Sequence, residues 1–170
     1  MTQTLDLSYT ATDGELNAAL WQETSLQVRD LMSRSPVTIT PEMSVQAAHA
    51  LMQRCRIRHL PVVVDSRLVG MVSDRDLRSV LPSPAISLAR HELTYLLDRL
   101  TVRDMMSRFV ITVTPDASVA AASRRMIGQK IGALPVVANG QLIGILTRSD
   151  VLRAFIKLDT AKLVGIETGA

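Results

Sequence analysis

Two stretches of the chain carry the same arrangement of a hydroxyl and a carboxylate. Gly70-Met71-Val72-Ser73-Asp74-Arg75-Asp76 and Gly144-Ile145-Leu146-Thr147-Arg148-Ser149-Asp150 each pass from an apolar segment through Ser or Thr to an Asp three residues on. Two kinds of chemistry use that spacing. The hydroxyl and the acid can close a helix start as a capping box, and losing such a cap costs about 0.5–2 kcal/mol. The same helix start presents free N–H groups and a positive dipole end, which suit a phosphate. A carboxylate one turn in can accept two hydrogen bonds from a ribose diol. The two uses are compatible, because a hydroxyl can cap in the empty state and donate to a ligand in the filled one.

No catalytic constellation accompanies these stretches. His49, His59 and His91 fall in different elements and lack metal-ligand spacing. No nucleophile, base and orienting group follow one another. The phosphate loop GxxxxGK[ST] is absent. The residues point to binding and away from enzymatic catalysis.

The elements that position the two stretches repeat with them. Val28-Arg29-Asp30-Leu31-Met32-Ser33-Arg34 aligns with Val102-Arg103-Asp104-Met105-Met106-Ser107-Arg108, and the offset of 74 then holds without a gap to Ser79 and Arg153. Thr40-Pro41, Ser44-Val45, Ala47-Ala48 and Leu60-Pro61-Val62-Val63 all recur at that offset. Roughly 22 of about 52 aligned positions are identical, which marks a duplicated unit.

Within each copy the pattern predicts β-α-β-β-α. Thr38-Ile39-Thr40 is extended, since Pro41 disfavours a helical residue before it. Ser44 caps a helix whose apolar face is Val45, Ala48, Leu51 and Met52. Leu60–Val64 is a β-branched run, Leu68–Val72 is another strand after Asp65-Ser66, and Asn139-Gly140 makes the matching turn of copy two a strong hairpin signal. Gly70 and Gly144 lie inside strands, where glycine suggests close approach of another group. One copy of about 55 residues is marginal for a core of its own, so the two are expected to pack through their sheets about a pseudo-twofold axis.

The expected organisation is a tail and helix over 1–27, repeat one over 28–80, a linker and helix over 81–101, repeat two over 102–157 and a loose tail over 158–170. The N-terminal helix would open on a capping box at Thr12–Glu15 and carry Leu16, Ala19, Leu20 and Trp21. The inter-repeat helix would follow Leu81-Pro82-Ser83-Pro84 and present a stripe of Leu93, Leu96, Leu97 and Leu100.

Composition narrows the partners. The chain has 170 residues, 47% of them hydrophobic but only 3% aromatic, so its core rests on aliphatic side chains. A net charge of +3, with one dense basic cluster at Arg54, Arg56, Arg58 and His59, is a small footprint for a nucleic-acid binder. The single cysteine, Cys55, fits a reducing cytoplasm, and its place at a helix end is structural. No apolar run approaches the ~20 residues of a membrane span, so a soluble protein without membrane partners is expected.

The motifs together resemble the cystathionine-β-synthase-type domain, the CBS domain. The resemblance rests on Val-Arg-Asp-x-Met-Ser, on Leu-Pro-Val-Val and on the Gly-x-x-[Ser/Thr]-x-x-Asp ending, and it covers residues 28–80 and 102–157. A tandem pair of this kind is a Bateman module. The resemblance implies a cleft between the repeats for an adenosine-bearing regulatory ligand: AMP, ADP, ATP or S-adenosylmethionine. By the same resemblance Asp76 and Asp150 would hold ribose hydroxyls, and Ser73 and Thr147 would contact phosphate or ribose. Ile57, Arg58 and His59 would supply adenine and phosphate contacts. Thr38-Ile39 and Thr112-Val113 would line the opposite wall, crossing from one repeat to the other. A homodimer and a separate effector protein are implied as partners. Repeat two has Gly132 and Ala133 where repeat one has Arg58 and His59, so the two sites should be unequal, with the Asp76 site the better one for a charged nucleotide. The alternative is a structural or interaction module with vestigial clefts.

Overall fold

The computed structural model describes residues 26–80 and 100–167, with side chains through Leu158. The N-terminal helix, the Leu81–Pro84 linker and the leucines at 93, 96 and 97 lie outside the described residues. The elements run α1 (Val28–Leu31), β1 (Ser33–Arg34), α2 (Val45–Cys55), β2 (His59–Val64), β3 (Arg67–Ser73), α3 (Asp74–Val80), α4 (Val102–Met105), α5 (Val119–Gly128), β4 (Ala133–Ala138), β5 (Gln141–Thr147) and α6 (Arg148–Glu167). Helix α6 continues to Glu167, past the point where loose chain was expected.

Local chemistry explains the boundaries. The Ser44 and Ser118 hydroxyls accept from the Ala47 and Ala121 N–H groups at 3.2 and 3.1 Å and start α2 and α5. Val45, Ala48 and Met52 bury one face of α2, and Val119, Ala122 and Met126 do the same on α5. The β4–β5 turn places Asn139 and Gly140 at φ 51° and 75°. Its counterpart between β2 and β3 places Asp65 and Ser66 at 49° and 65°. Positive φ at both turn positions matches the twist of a two-residue hairpin. The first strand of the anticipated β-α-β-β-α unit is reduced to a single parallel bridge in each half, Ile39 beside Val62 and Val113 beside Val136.

The two halves exchange their leading segments. Strand β1 pairs antiparallel with β5, Ser33 opposite Ile145 and Arg34 opposite Gly144, giving a three-stranded sheet β1-β5-β4. Reciprocally, Ser107 and Met71 exchange backbone hydrogen bonds of 2.9 and 3.0 Å beside the β2-β3 pair. Val28 and Arg29 donate to the Ala117 and Pro115 carbonyls at 2.9 and 3.0 Å, while Val102 and Arg103 donate to those of Met43 and Pro41 at 2.8 and 2.9 Å. An ion pair locks each crossing, Arg29 to Asp116 at 2.8 Å and Arg103 to Glu42.

The cores follow the exchange. One contains Ile39, Val45, Met52, Leu60, Val72, Leu77 and also Val102, with Leu100, Met105 and Met106 packed against it. The other contains Val113, Met126, Leu134, Leu146 and also Val28, with Leu31 and Met32 against it. The segments that cross are thus 28–34 and 102–107. Thr38-Ile39 and Thr112-Val113, expected to cross, stay within their own halves, because their backbones bridge to β2 and β4 of the same repeat.

The crossing explains the strand glycines. A β-carbon on Gly70 would lie 2.5 Å from Met106 Sδ, and one on Gly144 would lie 2.6 Å from Met32 Sδ and 3.1 Å from the Ser33 carbonyl. The thioether at Gly70 is flexible and can yield, whereas the backbone beside Gly144 cannot move so easily. We therefore expect Gly144→Ala to destabilise more than Gly70→Ala, within the ~1–3 kcal/mol typical of overpacking. Urea unfolding of the two variants checks the order.

Candidate functional site

Ser73 ends β3, and Asp76 stands in the first turn of α3. The Ser73 N–H and hydroxyl both donate to Asp76 Oδ2, at 2.9 and 2.6 Å, and the Asp76 N–H donates back to Ser73 Oγ at 3.3 Å. At the start of α6, Thr147 and Asp150 repeat this box with distances of 2.8, 2.6 and 3.3 Å. Both hydroxyl–acid pairs therefore cap helices.

The second carboxylate oxygens differ. Asp150 Oδ1 accepts from Arg153 Nη1 at 3.1 Å. No hydrogen bond from a described residue reaches Asp76 Oδ1. A ligand diol could use that oxygen with the cap intact, whereas at Asp150 it would have to displace an arginine. That arginine is largely exposed, so the displaced pair is worth at most ~1 kcal/mol.

Strand β2 delivers the basic residues. His59 stands opposite Ser73 in the ladder, and the Arg58 carbonyl accepts the Asp74 N–H at 2.9 Å. The same link recurs in repeat two from the Arg148 N–H to the Gly132 carbonyl at 3.1 Å. His59 then crosses between the halves. A β-carbon on Gly132 would lie 3.0 Å from both His59 Cε1 and Nε2, and 3.1 Å from Arg148 Nη2. Imidazole and guanidinium thus meet over the one residue that offers no side chain. Burial pushes the imidazole below its ordinary pKa, and the neighbouring Arg148 pushes the same way. Asp76 opposes them, followed by weaker effects of Arg58 downward and Asp74 upward.

The structure gathers Asp76, Ser73 and His59 around the end of one hairpin, with Arg58 near enough to act on the imidazole. Thr147 and Asp150 meet at the equivalent end of the other. The remaining sequence candidates stand elsewhere. Ile57 packs against the first core. Ile39 and Val113 are buried core residues, and Thr38 is exposed beside Ile39. Thr112 and Val113 line a cavity of about 440 Å³ with Arg125, Asn139 and Gly140, on which neither Asp76 nor Asp150 borders. Asp150 instead borders a cavity of about 370 Å³ with Asp30, Leu31, Arg153 and Lys157.

Sequence reasoning left two participants out of the candidate set, Arg148 and Gly132. A signal existed. At the repeat offset Gly132 replaces Arg58 and Arg148 replaces Asp74. Repeat two has moved its cation from the strand start to the helix start. Among the described residues no cluster of three or more His, Cys, Asp or Glu could hold a metal ion, and no helix is long and apolar enough to cross a membrane.

Comparison with known proteins agrees with this architecture. The CBS domain model matches residues 28–83 and 102–157. The chain belongs to the CBS domain family, as a tandem pair. A CBS domain-containing protein of Dictyostelium discoideum is 34% identical over 133 residues, covering 77% of this chain and 92% of that one. The structure of CBSX2 in complex with AMP, a protein of Arabidopsis thaliana, superposes with a TM-score of 0.64 at 33% identity, covering 78% of this chain and 98% of the other. A CBS domain pair in complex with 5′-methylthioadenosine and S-adenosyl-L-methionine gives 0.64 at 28% identity, covering 78% and 97%. Inosine-5′-monophosphate dehydrogenases also match, but there the chain spans only 22% of the enzyme.

The low pKa of His59 has a consequence for stability. The unfolded chain takes up a proton near pH 6.5 that the folded imidazole refuses. The folded state keeps its full stability above that pH and loses it as pH falls toward the lowered folded value. Between pH 8 and 5.5, wild type should therefore lose more stability in urea than His59→Gln. Equal losses would mean that the imidazole is not held neutral.

Proposed function

We propose that the protein is a regulatory sensor that binds an adenosine-bearing ligand of the AMP, ADP, ATP or S-adenosylmethionine kind beside Asp76 and passes the signal to a separate effector protein. The observation that carries this reading is the uneven state of the two carboxylates. Asp76 keeps one oxygen without a hydrogen bond from the described residues, next to a helix start, a hydroxyl and the midline cations. A ribose diol can dock there while phosphates extend toward His59 and Arg58. The related pairs that hold AMP, or methylthioadenosine with S-adenosylmethionine, support the same ligand class.

The mechanism is differential affinity. A ligand that touches both halves favours whichever relative arrangement closes on it, and the population shifts accordingly. Because each half completes the core of the other, movement at the midline reaches both sheets. Association into a homodimer is part of the proposal, and exposed Leu152 and Phe155, one turn apart on α6, supply apolar surface for it. The exposed free thiol of Cys55 fits a cytoplasmic setting.

The second reading, a structural module with vestigial clefts, draws support from one observation. Both acidic side chains already serve as helix caps, which is reason enough to retain them.

Thermal melting with AMP, ADP, ATP, S-adenosylmethionine and 5′-methylthioadenosine separates the two. A ligand at 100 times its Kd adds about 2.7 kcal/mol, a rise of several degrees for a chain this size. Asp76→Ala should abolish that rise and Asp150→Ala should preserve it. Unchanged melting across the panel would favour the structural reading, and the opposite variant pattern would transfer the site to Asp150.

A further inference from the structure

The cavity of about 440 Å³ in repeat two borders neither Asp76 nor Asp150. Thr112, Val113 and Thr114 form one side of it, Ala117, Ala121 and Arg125 another, and the β4–β5 turn a third. The repeat offset shows how it arises. Ala117 stands where repeat one has Met43, and Arg125 where it has Leu51. Both Met43 and Leu51 pack against the first core. Val113 is one methylene shorter than its counterpart Ile39. All three changes remove apolar bulk from the same place.

The changes also alter charge in one direction. Leu51 becomes the cation Arg125, and the acid Asp65 becomes the neutral Asn139. Arg125 is exposed, and its Nη1 donates to the Thr112 carbonyl at 3.1 Å, which ties the guanidinium to the facing segment. Among the described residues no acid pairs with Arg125, and none of the lining residues is acidic or aromatic. The lining therefore offers one fixed cation, aliphatic surface from Val113, Ala122 and Val137, and neutral hydrogen-bonding groups from Thr114 and Asn139. Apolar walls with a few placed polar groups are the usual make-up of a small-molecule site.

We infer that this cavity is a second ligand site, separate from the midline, for a short-chain monocarboxylic acid. The planar guanidinium suits a carboxylate, which it can meet with two parallel hydrogen bonds. The aliphatic walls take the hydrocarbon chain. No lining carboxylate balances an ammonium, so the site selects against amino acids. No lining ring can stack on a base, so it selects against nucleotides. Val113 and Ala122 also belong to the core that Val28 enters from the other repeat, so a bound acid touches the packing that joins the halves.

The test follows backbone amides by ¹H–¹⁵N NMR while hexanoate, butanoate, hexanamide or norleucine is added at pH 7. Hexanoate should shift Thr112, Ala121, Asn139 and Gly140 in a saturable way. It should bind more tightly than butanoate, by up to about fourfold for each methylene buried. Hexanamide, which lacks the charge, and norleucine, which adds an ammonium, should bind roughly tenfold more weakly or worse. Arg125→Gln should weaken hexanoate by about the same factor and leave hexanamide within about twofold. Ala117→Met restores the side chain that repeat one carries and should weaken all four probes, with melting curves confirming that both variants fold. Saturating AMP should leave the hexanoate shifts in place. Displacement of hexanoate by AMP would overturn a separate site, and equal binding of hexanoate and hexanamide would overturn the role of Arg125. Shifts that do not saturate, or that centre on exposed Leu152 and Phe155 instead, would overturn the site itself. None of these results bears on the adenosine-ligand reading, which the melting panel tests independently.

Discussion

Each half of this molecule is finished by the other. The segments 28–34 and 102–107 leave their own repeats, lay backbone on the opposite sheet and bury Val28 and Val102 in the opposite core. A hairpin-and-helix unit of about 55 residues is marginal for burying its sheet alone. The exchange solves that problem twice with the same residues. It also makes the relative placement of the halves a property of the core, and everything at the midline inherits that placement.

The midline chemistry follows from the constraint. Antiparallel hairpins bring His59 beside Ser73 and Ala133 beside Thr147. The two hairpin ends are then held near one another, and what happens between them depends on small differences between the copies. Gly132 has no side chain, so His59 can lean across. Arg148 occupies the position that is Asp74 in the first copy, so a cation awaits it there. The result is an asymmetric centre built from a symmetric plan. Among the described residues nothing donates to Asp76 Oδ1, whereas Asp150 Oδ1 accepts from Arg153.

Much of this was legible in the residues. The 74-residue offset, the serine caps at 44 and 118 and the Asn139-Gly140 turn were all readable, because each reflects interactions within a few residues of itself. Close approach at Gly70 and Gly144 was readable as well, though not the methionines responsible, which arrive from the other half. The family resemblance implies crossings at Thr38-Ile39 and Thr112-Val113, whereas the chain crosses at 28–34 and 102–107. An alignment of repeats says which positions are equivalent, not which sheet a segment joins. The meeting of His59 with Arg148 lay beyond reach for the same reason: 89 positions separate them in the chain, and only the packing of the halves brings them together.

The most direct test of a shared midline site is to follow backbone amides by ¹H–¹⁵N NMR as AMP is added. Occupancy beside Asp76 predicts that the amides of Ser73 and Asp76 shift together with that of Gly132 from the other half, while Asn139 and Gly140 at the far turn stay in place. Shifts centred on Thr112, Asn139 and Gly140, or confined to one half, would contradict a site held between the two repeats.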